Sequence, residues 1–215
     1  MAMTELETLE LYRVSLHNAG SQPEISSAMT EFGYGPEKLA IGHAVLFSAR
    51  EGYDTSETEK HETKAAYQAF DLKRDALAER YAMDRKKAKV IFSDEPVTME
   101  RLDIAGSLPR AYIRWLETVK TFYTVSLADL EIQRQLGALK ITPEYLNETY
   151  AMVGEVEAAR ALYIQEIGES QNATKVKDAA FAQVDDYMRK FYATARIALA
   201  ERPQLLESLG KLVRS

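Results

Sequence analysis

The sequence predicts an all-α protein built from two tandem, internally duplicated helical bundles, and three observations carry that prediction. Apolar residues recur at three- and four-residue intervals along most of the 215 residues, the signature of helices that bury one face. No run alternates polar and apolar residues between turn residues, so no strand is expected. Finally, a set of marks repeats at a displacement of 107: Pro36, Glu37 and Leu39 return as Pro143, Glu144 and Leu146, and Pro96, Met99, Glu100 and Leu102 return as Pro203, Leu206, Glu207 and Leu209.

The same ungapped displacement pairs Ala44 with Ala151, Glu59 with Glu166, Glu62 with Glu169, Ala66 with Ala173, Asp71 with Asp178 and Ala88 with Ala195. Repeats are read first because an overlooked one misassigns the whole fold. Upstream, Leu6, Glu7 and Thr8 recur as Leu116, Glu117 and Thr118, displaced by 110. Tyr12, Val14, Ser15 and Leu16 recur as Tyr123, Val125, Ser126 and Leu127, displaced by 111. Order is kept throughout, which sets the copies at residues 1–107 and 108–215.

Thr4 and Glu7 stand at capping-box spacing, with Leu6, Leu9, Tyr12 and Leu16 behind them, so a first helix is expected to start there and to end at Asn18 to Gly20. Pro23 suits the first turn of a short second helix reaching Phe32, where Gly33 to Gly35 break it. Pro36 opens a long helix whose inner positions are Leu39, His43, Leu46, Ala49 and Tyr53. Gly52 weakens it by roughly 1 kcal/mol relative to Ala. The helix is carried to about Lys60, with a turn at Tyr53 to Ser56 as the alternative. A further helix follows from about Thr63 to Ser93 with Ala66, Phe70, Leu77, Tyr81, Ala88 and Ile91 inside.

The second copy repeats this order. Its inner positions are Leu146, Tyr150, Val153, Val156, Arg160, Tyr163 and Ile167, then Val176, Ala180, Val184, Met188, Phe191, Ala195 and Ala198 in a helix from about Thr174 to Glu201. Each copy is therefore expected to contain a long antiparallel helix hairpin. Each closes with a proline and a short helix, Pro96 to Ala105 and Pro203 to Val213. Ser107 and Pro109 read as the start of a helix carrying Tyr112, Trp115, Val119, Phe122 and Ser126. No Gly/Ser-rich or Pro-rich linker separates the copies, so the two bundles are expected to touch.

With 46% hydrophobic and 28% charged residues, the chain has enough apolar material for a core and is too apolar for disorder. No run of eighteen apolar residues occurs, and the amino terminus carries Glu5, Glu7 and Glu10 where a signal peptide needs positive charge, so a cytoplasmic protein is expected. Zero cysteines exclude disulfides, thiolate metal sites, iron–sulfur clusters and cysteine nucleophiles. Of the net charge of −6, residues 1–107 carry all the excess, with 19 acidic and 13 basic side chains, while residues 108–215 hold 14 of each. An acidic chain of this kind is a poor candidate for binding a nucleic-acid backbone, which needs clustered Lys and Arg, so no nucleic-acid partner is expected.

The three histidines, His17, His43 and His61, lack the Glu three residues upstream that a carboxylate-bridged di-iron bundle requires, since Val14, Ala40 and Thr58 stand there. Ala128, Tyr150 and Gly168 occupy the paired positions, so the second copy cannot complete such a site. His43 reads as a core or core-edge residue, the other two as surface. The acids Glu51, Asp54, Glu57, Glu59 and Glu62 lack a calcium-loop pattern and have Arg50 and Lys60 among them, which reads as a solvated helix face. The bases Lys73, Arg74, Arg80, Arg85, Lys86, Lys87 and Lys89 interleave with Asp71, Asp75, Glu79 and Asp84, a pattern that helical ion pairs explain. Phe122 with Tyr123, or Phe191 with Tyr192, offers rings for a pocket between helices or for sealing a bundle rim. No phosphate loop, nucleophile elbow or His-Glu-x-x-His is present. No catalytic residue, metal ligand or cofactor is assigned.

The segment Phe191 to Gly210, with Thr142, Pro143 and Glu144 upstream, resembles a group of duplicated all-helical bacterial proteins with no assigned function. The resemblance implies a helical, duplicated, cytoplasmic protein and no particular activity or site. The expected function is a non-catalytic structural or protein-interaction protein that meets a partner or a second copy of the chain. The alternative is a bundle that binds a small molecule or metal between helices or between the two copies.

Overall fold

The structure, a computed structural model, describes residues 3–210. Its elements are α1 (Glu5–Ser21), α2 (Pro23–Glu31), α3 (Pro36–Ile91), α4 (Pro96–Arg101), α5 (Tyr112–Ala128), α6 (Leu130–Gly137), α7 (Pro143–Ala198) and a closing 3-10 helix (Pro203–Leu209). The protein is all-helical, with no strand among the described residues. None of its helices is long and apolar enough to cross a membrane.

The helix starts follow local chemistry. The Thr4 hydroxyl accepts from the Glu7 N–H at 3.2 Å while the Glu7 carboxylate accepts from the Thr4 N–H at 2.7 Å, closing the predicted capping box. Pro23, Pro36, Pro96, Pro143 and Pro203 each begin a helix, where a missing N–H costs nothing. Two left-handed residues, Gly33 and Lys140, turn the chain ahead of α3 and α7. Just after them the buried Tyr34 and Ile141 donate their backbone N–H to Met29 and Leu136, at 2.8 and 3.2 Å.

Three expectations need correction. The antiparallel hairpin within each copy does not form: α3 and α7 are each one unbroken helix of 56 residues. No proline lies between Tyr53 and Thr63, and the single Gly52 costs far less than the hydrogen bonds that a break would open. The helix expected from Ser107 instead starts at Tyr112, after an irregular stretch. The sequence reading also missed α6, which Asp129 caps by accepting from the N–H groups of Glu131 and Ile132. The closing element of the second copy is a 3-10 helix ending at Leu209, and the expected end at Val213 lies outside the described residues.

The compact units also differ from the predicted domains 1–107 and 108–215. One unit comprises Met1–His61 with Gly168–Ser215, the other Glu62–Ile167. The continuity of α3 and α7 is the reason, since each helix gives one part to each unit. In the first unit Leu9 and Leu16 of α1, Ile25 and Met29 of α2, and Leu39 and Leu46 of α3 pack with Val184, Met188 and Phe191 of α7. In the second, Leu77 and Tyr81 of α3 pack with Trp115, Val119 and Phe122 of α5, Ile132 and Leu136 of α6, and Leu146 and Val153 of α7. Each core thus draws on both halves of the chain.

The helix starts share one spacing. α5, α7 and the 3-10 helix begin 107 residues after α1, α3 and α4, and α6 begins 107 after α2. Burial follows the same spacing in the first helices, where Leu9, Ser15, Leu16 and Ala19 correspond to Leu116, Phe122, Tyr123 and Ser126, all buried. The helix starts thus follow the displacement of 107 and not the upstream displacements of 110 and 111, although Ser15 and Ser126, paired at 111, are both buried.

Two glycines of α3 hold it close to α7 in the first unit. A Cβ on Gly42 would lie 2.6 Å from the Tyr187 ring, whose hydroxyl donates to the Lys38 carbonyl at 2.7 Å. A Cβ on Gly52 would lie 3.1 Å from the Lys177 Cα. Gly154 of α7, by contrast, faces open space. In urea denaturation, Gly42→Ala is expected to lower stability by about 1–3 kcal/mol through overpacking. Gly154→Ala is expected to raise it by about 0.5–1 kcal/mol through helix propensity.

Candidate functional site

An apolar groove of about 1020 Å³ runs between α1 and α3 in the first unit. Amphipathic packing explains its floor, because Leu9 and Leu46 are inner positions of their helices and are buried. Leu6 and Phe47 flank that floor yet remain 44% and 62% exposed. Large apolar side chains gathered beside a groove mark an interaction site more strongly than the same residues scattered singly. The rim is charged: Glu10 and Arg13 stand on α1, Arg50 and Glu51 on α3. Arg13 bonds Glu10 at 2.7 Å, and Arg50 bonds Asp54 at 2.8 Å, so each rim arginine is paired along its own helix. His43 also lines the groove and is exposed, which corrects its reading as a core or core-edge residue. Tyr150 and Val176, expected inside, are exposed as well, at 39% and 56%.

The second unit contains a different feature, a buried carboxylate. Asp84 of α3 is fully buried and accepts from the Tyr123 hydroxyl of α5 at 2.7 Å. One turn of α3 buries three further polar atoms side by side, Tyr81 Oη, Asp84 Oδ1 and Arg85 Nε. Nearby, Arg80 lies over the Tyr145 ring at 5.3 Å and donates to the Thr149 hydroxyl at 3.4 Å. Burial raises the carboxyl of Asp84 above the ordinary range, against the hydrogen bonds from Tyr123 and Tyr145 and the weaker pull of the Lys87 and Arg80 charges. Burial also pushes the Tyr81 hydroxyl up to about 12 and, together with the Asp84 charge, raises Tyr123. The pair has acid–base chemistry but no exposed surface through which a substrate reaches it, so it is part of the core.

The remaining sequence candidates are scattered. His17 and His61 are exposed as expected, and none of the three histidines joins a group of ligating side chains among the described residues. On the acidic stretch, Glu51 and Glu62 are exposed, Asp54 pairs with Arg50 and Glu57 with Lys60 at 2.6 Å, as on a solvated helix face, but Glu59 is half-buried and departs from that reading. The basic run is largely committed within the second unit. Lys73 bonds Glu155 at 2.5 Å, Arg74 bonds Asp71 at 2.6 Å, and Arg85 and Lys89 donate to carbonyls of the stretch after α4. Phe122, Tyr123, Phe191 and Tyr192 are all buried. In place of these, the residues that form the site are Leu6 and Phe47. The sequence signal for Phe47 was its place one residue beyond the inner position Leu46, off the predicted apolar stripe. No family model matches the sequence, and no curated protein or solved structure is similar to it.

A raised folded-state pKa makes the contribution of Asp84 fully present below the unfolded carboxylate value of about 3.9, and lost as pH rises through the folded value. Urea denaturation of wild type and Asp84→Asn across a pH series is therefore expected to show the balance shifting toward the Asn variant as pH climbs from about 4. A stability difference that stays flat with pH contradicts the buried-carboxylate account.

Proposed function

We propose that this chain is a non-catalytic protein-interaction protein whose contact surface is the α1/α3 groove of the first unit. The observation that carries the reading is Phe47, 62% exposed beside an apolar floor that no other element covers among the described residues. Helix-lined apolar grooves take amphipathic segments through a few large anchors, and Leu6 and Phe47 supply the chain's own side of such a contact. The charged rim then sets register and specificity more than affinity.

The reading includes an origin by duplication, supported by the constant displacement of 107 between the two sets of helices. Copies that began alike have diverged at the groove, which suits a binding surface acquired by one of them. A cytoplasmic setting belongs to the same reading and fits a chain with zero cysteines. Neither metal nor cofactor is assigned.

A small apolar molecule in the same groove is the second reading, favoured by a volume at the upper end of ligand pockets, roughly 300–1,000 Å³. A broad metabolite panel in a thermal-shift assay separates the two, because this second reading alone requires a stabilising hit that Phe47→Asp abolishes. For the leading reading, wild-type and Phe47→Asp baits are compared by affinity capture from native lysate after equal melting temperatures are verified. A partner retained by wild type and lost with the variant is expected. Identical retained sets contradict the groove's role.

A further inference from the structure

The groove's own composition points to its occupant, and we propose that it seats a second copy of this chain in a closed two-fold dimer. This inference rests on the groove being a contact surface. It is carried by shape, by charge and by comparison of the two units.

A two-fold interface is one patch meeting itself, so that patch must offer both a projection and a recess. Phe47 projects at 62% exposure immediately beside a recess floored by Leu9 and Leu46. Phe47 of each chain therefore has a recess of matching chemistry on its partner copy.

The charge pattern is also self-complementary. Each edge of the groove carries one cation and one anion, Arg13 with Glu10 on α1 and Arg50 with Glu51 on α3. A rim of one sign would repel its own copy, whereas a neutral mixed rim lets cations meet anions across the axis. The ion pairs that now hold Arg13 and Arg50 lie along their own helices and are at least half exposed, so exchanging partners costs little.

The second unit shows what the same face looks like without this equipment. The position 107 residues after Phe47 is Gly154, so the projection is missing. Those corresponding to Arg13 and Arg50 are Lys120 and Glu157, which bond each other at 3.0 Å between α5 and α7. There the rim charges are joined across the helix pair instead of along each helix. Among the described residues, the equivalent face of the second unit keeps an exposed apolar residue in Ile113 but lacks the projecting ring and ties its rim charges across the helix pair. One complete patch per chain closes at two copies instead of propagating into a fibre.

Sedimentation velocity on the 215-residue chain, from low micromolar to submillimolar concentration, tests the proposal. Wild type is expected to move from monomer to dimer with rising concentration and to stop there. Phe47→Asp is expected to raise the dissociation constant by about 30-fold or more, the effect of losing a central anchor, with an unchanged melting temperature at concentrations where the wild type is monomeric. Leu6→Gln provides a milder second variant at the same patch, expected to weaken the dimer less. Ile113→Asp, which places the same charge on an equally exposed apolar residue of the second unit, is expected to leave the dimer intact. A wild type that stays monomeric, an assembly that grows beyond two, or a dimer indifferent to Phe47→Asp overturns the proposal. A monomeric wild type that still captures a partner through Phe47 overturns only the dimer, which keeps the two readings distinguishable.

Discussion

The unbroken hydrogen-bond ladder of α3 and α7 is the constraint on which everything else depends. Once a helix continues through Tyr53 to Thr63, its two ends cannot fold back on each other, and the apolar stripe at each end needs cover from elsewhere. The chain supplies it crosswise. Residues before His61 and after Gly168 make one core, and the segment between them makes the other. Glycines at 42 and 52 then set how closely α3 approaches α7 in the first unit, and the short helices α1 and α2 cover what the long pair leaves open. The groove is what remains uncovered along α1 and α3.

The two units satisfy similar packing demands with different chemistry, and the differences concentrate where function is sought. Gly42 with Tyr187 in the first unit corresponds by position to Thr149 with Arg80 in the second, a ring over a bare backbone in one and a hydrogen bond at 3.4 Å in the other. Lys177, buried and bonded to Glu5 at 2.6 Å, corresponds to Phe70, which packs among Tyr112, Tyr163 and Arg160. Asp84 corresponds to the buried Phe191. The second unit encloses its polar groups, with Asp84 and Tyr123 sealed inside and Lys120 bound to Glu157 across its helix pair. The first keeps Phe47 and its charged rim at the surface.

Much of the fold was legible in the sequence because its signals are local. The Thr4 capping box, the five helix-opening prolines and the inner positions from Leu39 to Ala195 depend on neighbours within a turn or two, and most stand where periodicity put them. What failed was nonlocal or read too strongly. Gly52 was weighed as a potential break, yet its lack of a side chain serves the approach of Lys177, which only the tertiary structure reveals. The hairpin expectation followed from helices of ordinary length, and no sequence mark distinguishes a turn at Ser56 from a helix that simply continues. The site was less legible still. Whether Phe47 is exposed depends on what lies opposite it, and the bond between Tyr123 and Asp84 joins residues 39 apart in sequence. His43 sits on the three-and-four rhythm of α3, but at the edge of the groove, where that rhythm meets solvent.

The most direct test of the central claim, that each core needs both halves of the chain, is to express residues 1–107 and 108–215 separately and follow thermal unfolding by circular dichroism. Each fragment alone is expected to lack a cooperative transition, and an equimolar mixture to recover both helicity and the melt of the intact chain. A fragment that melts cooperatively alone, with helicity matching its share of the intact protein, would contradict the crosswise cores.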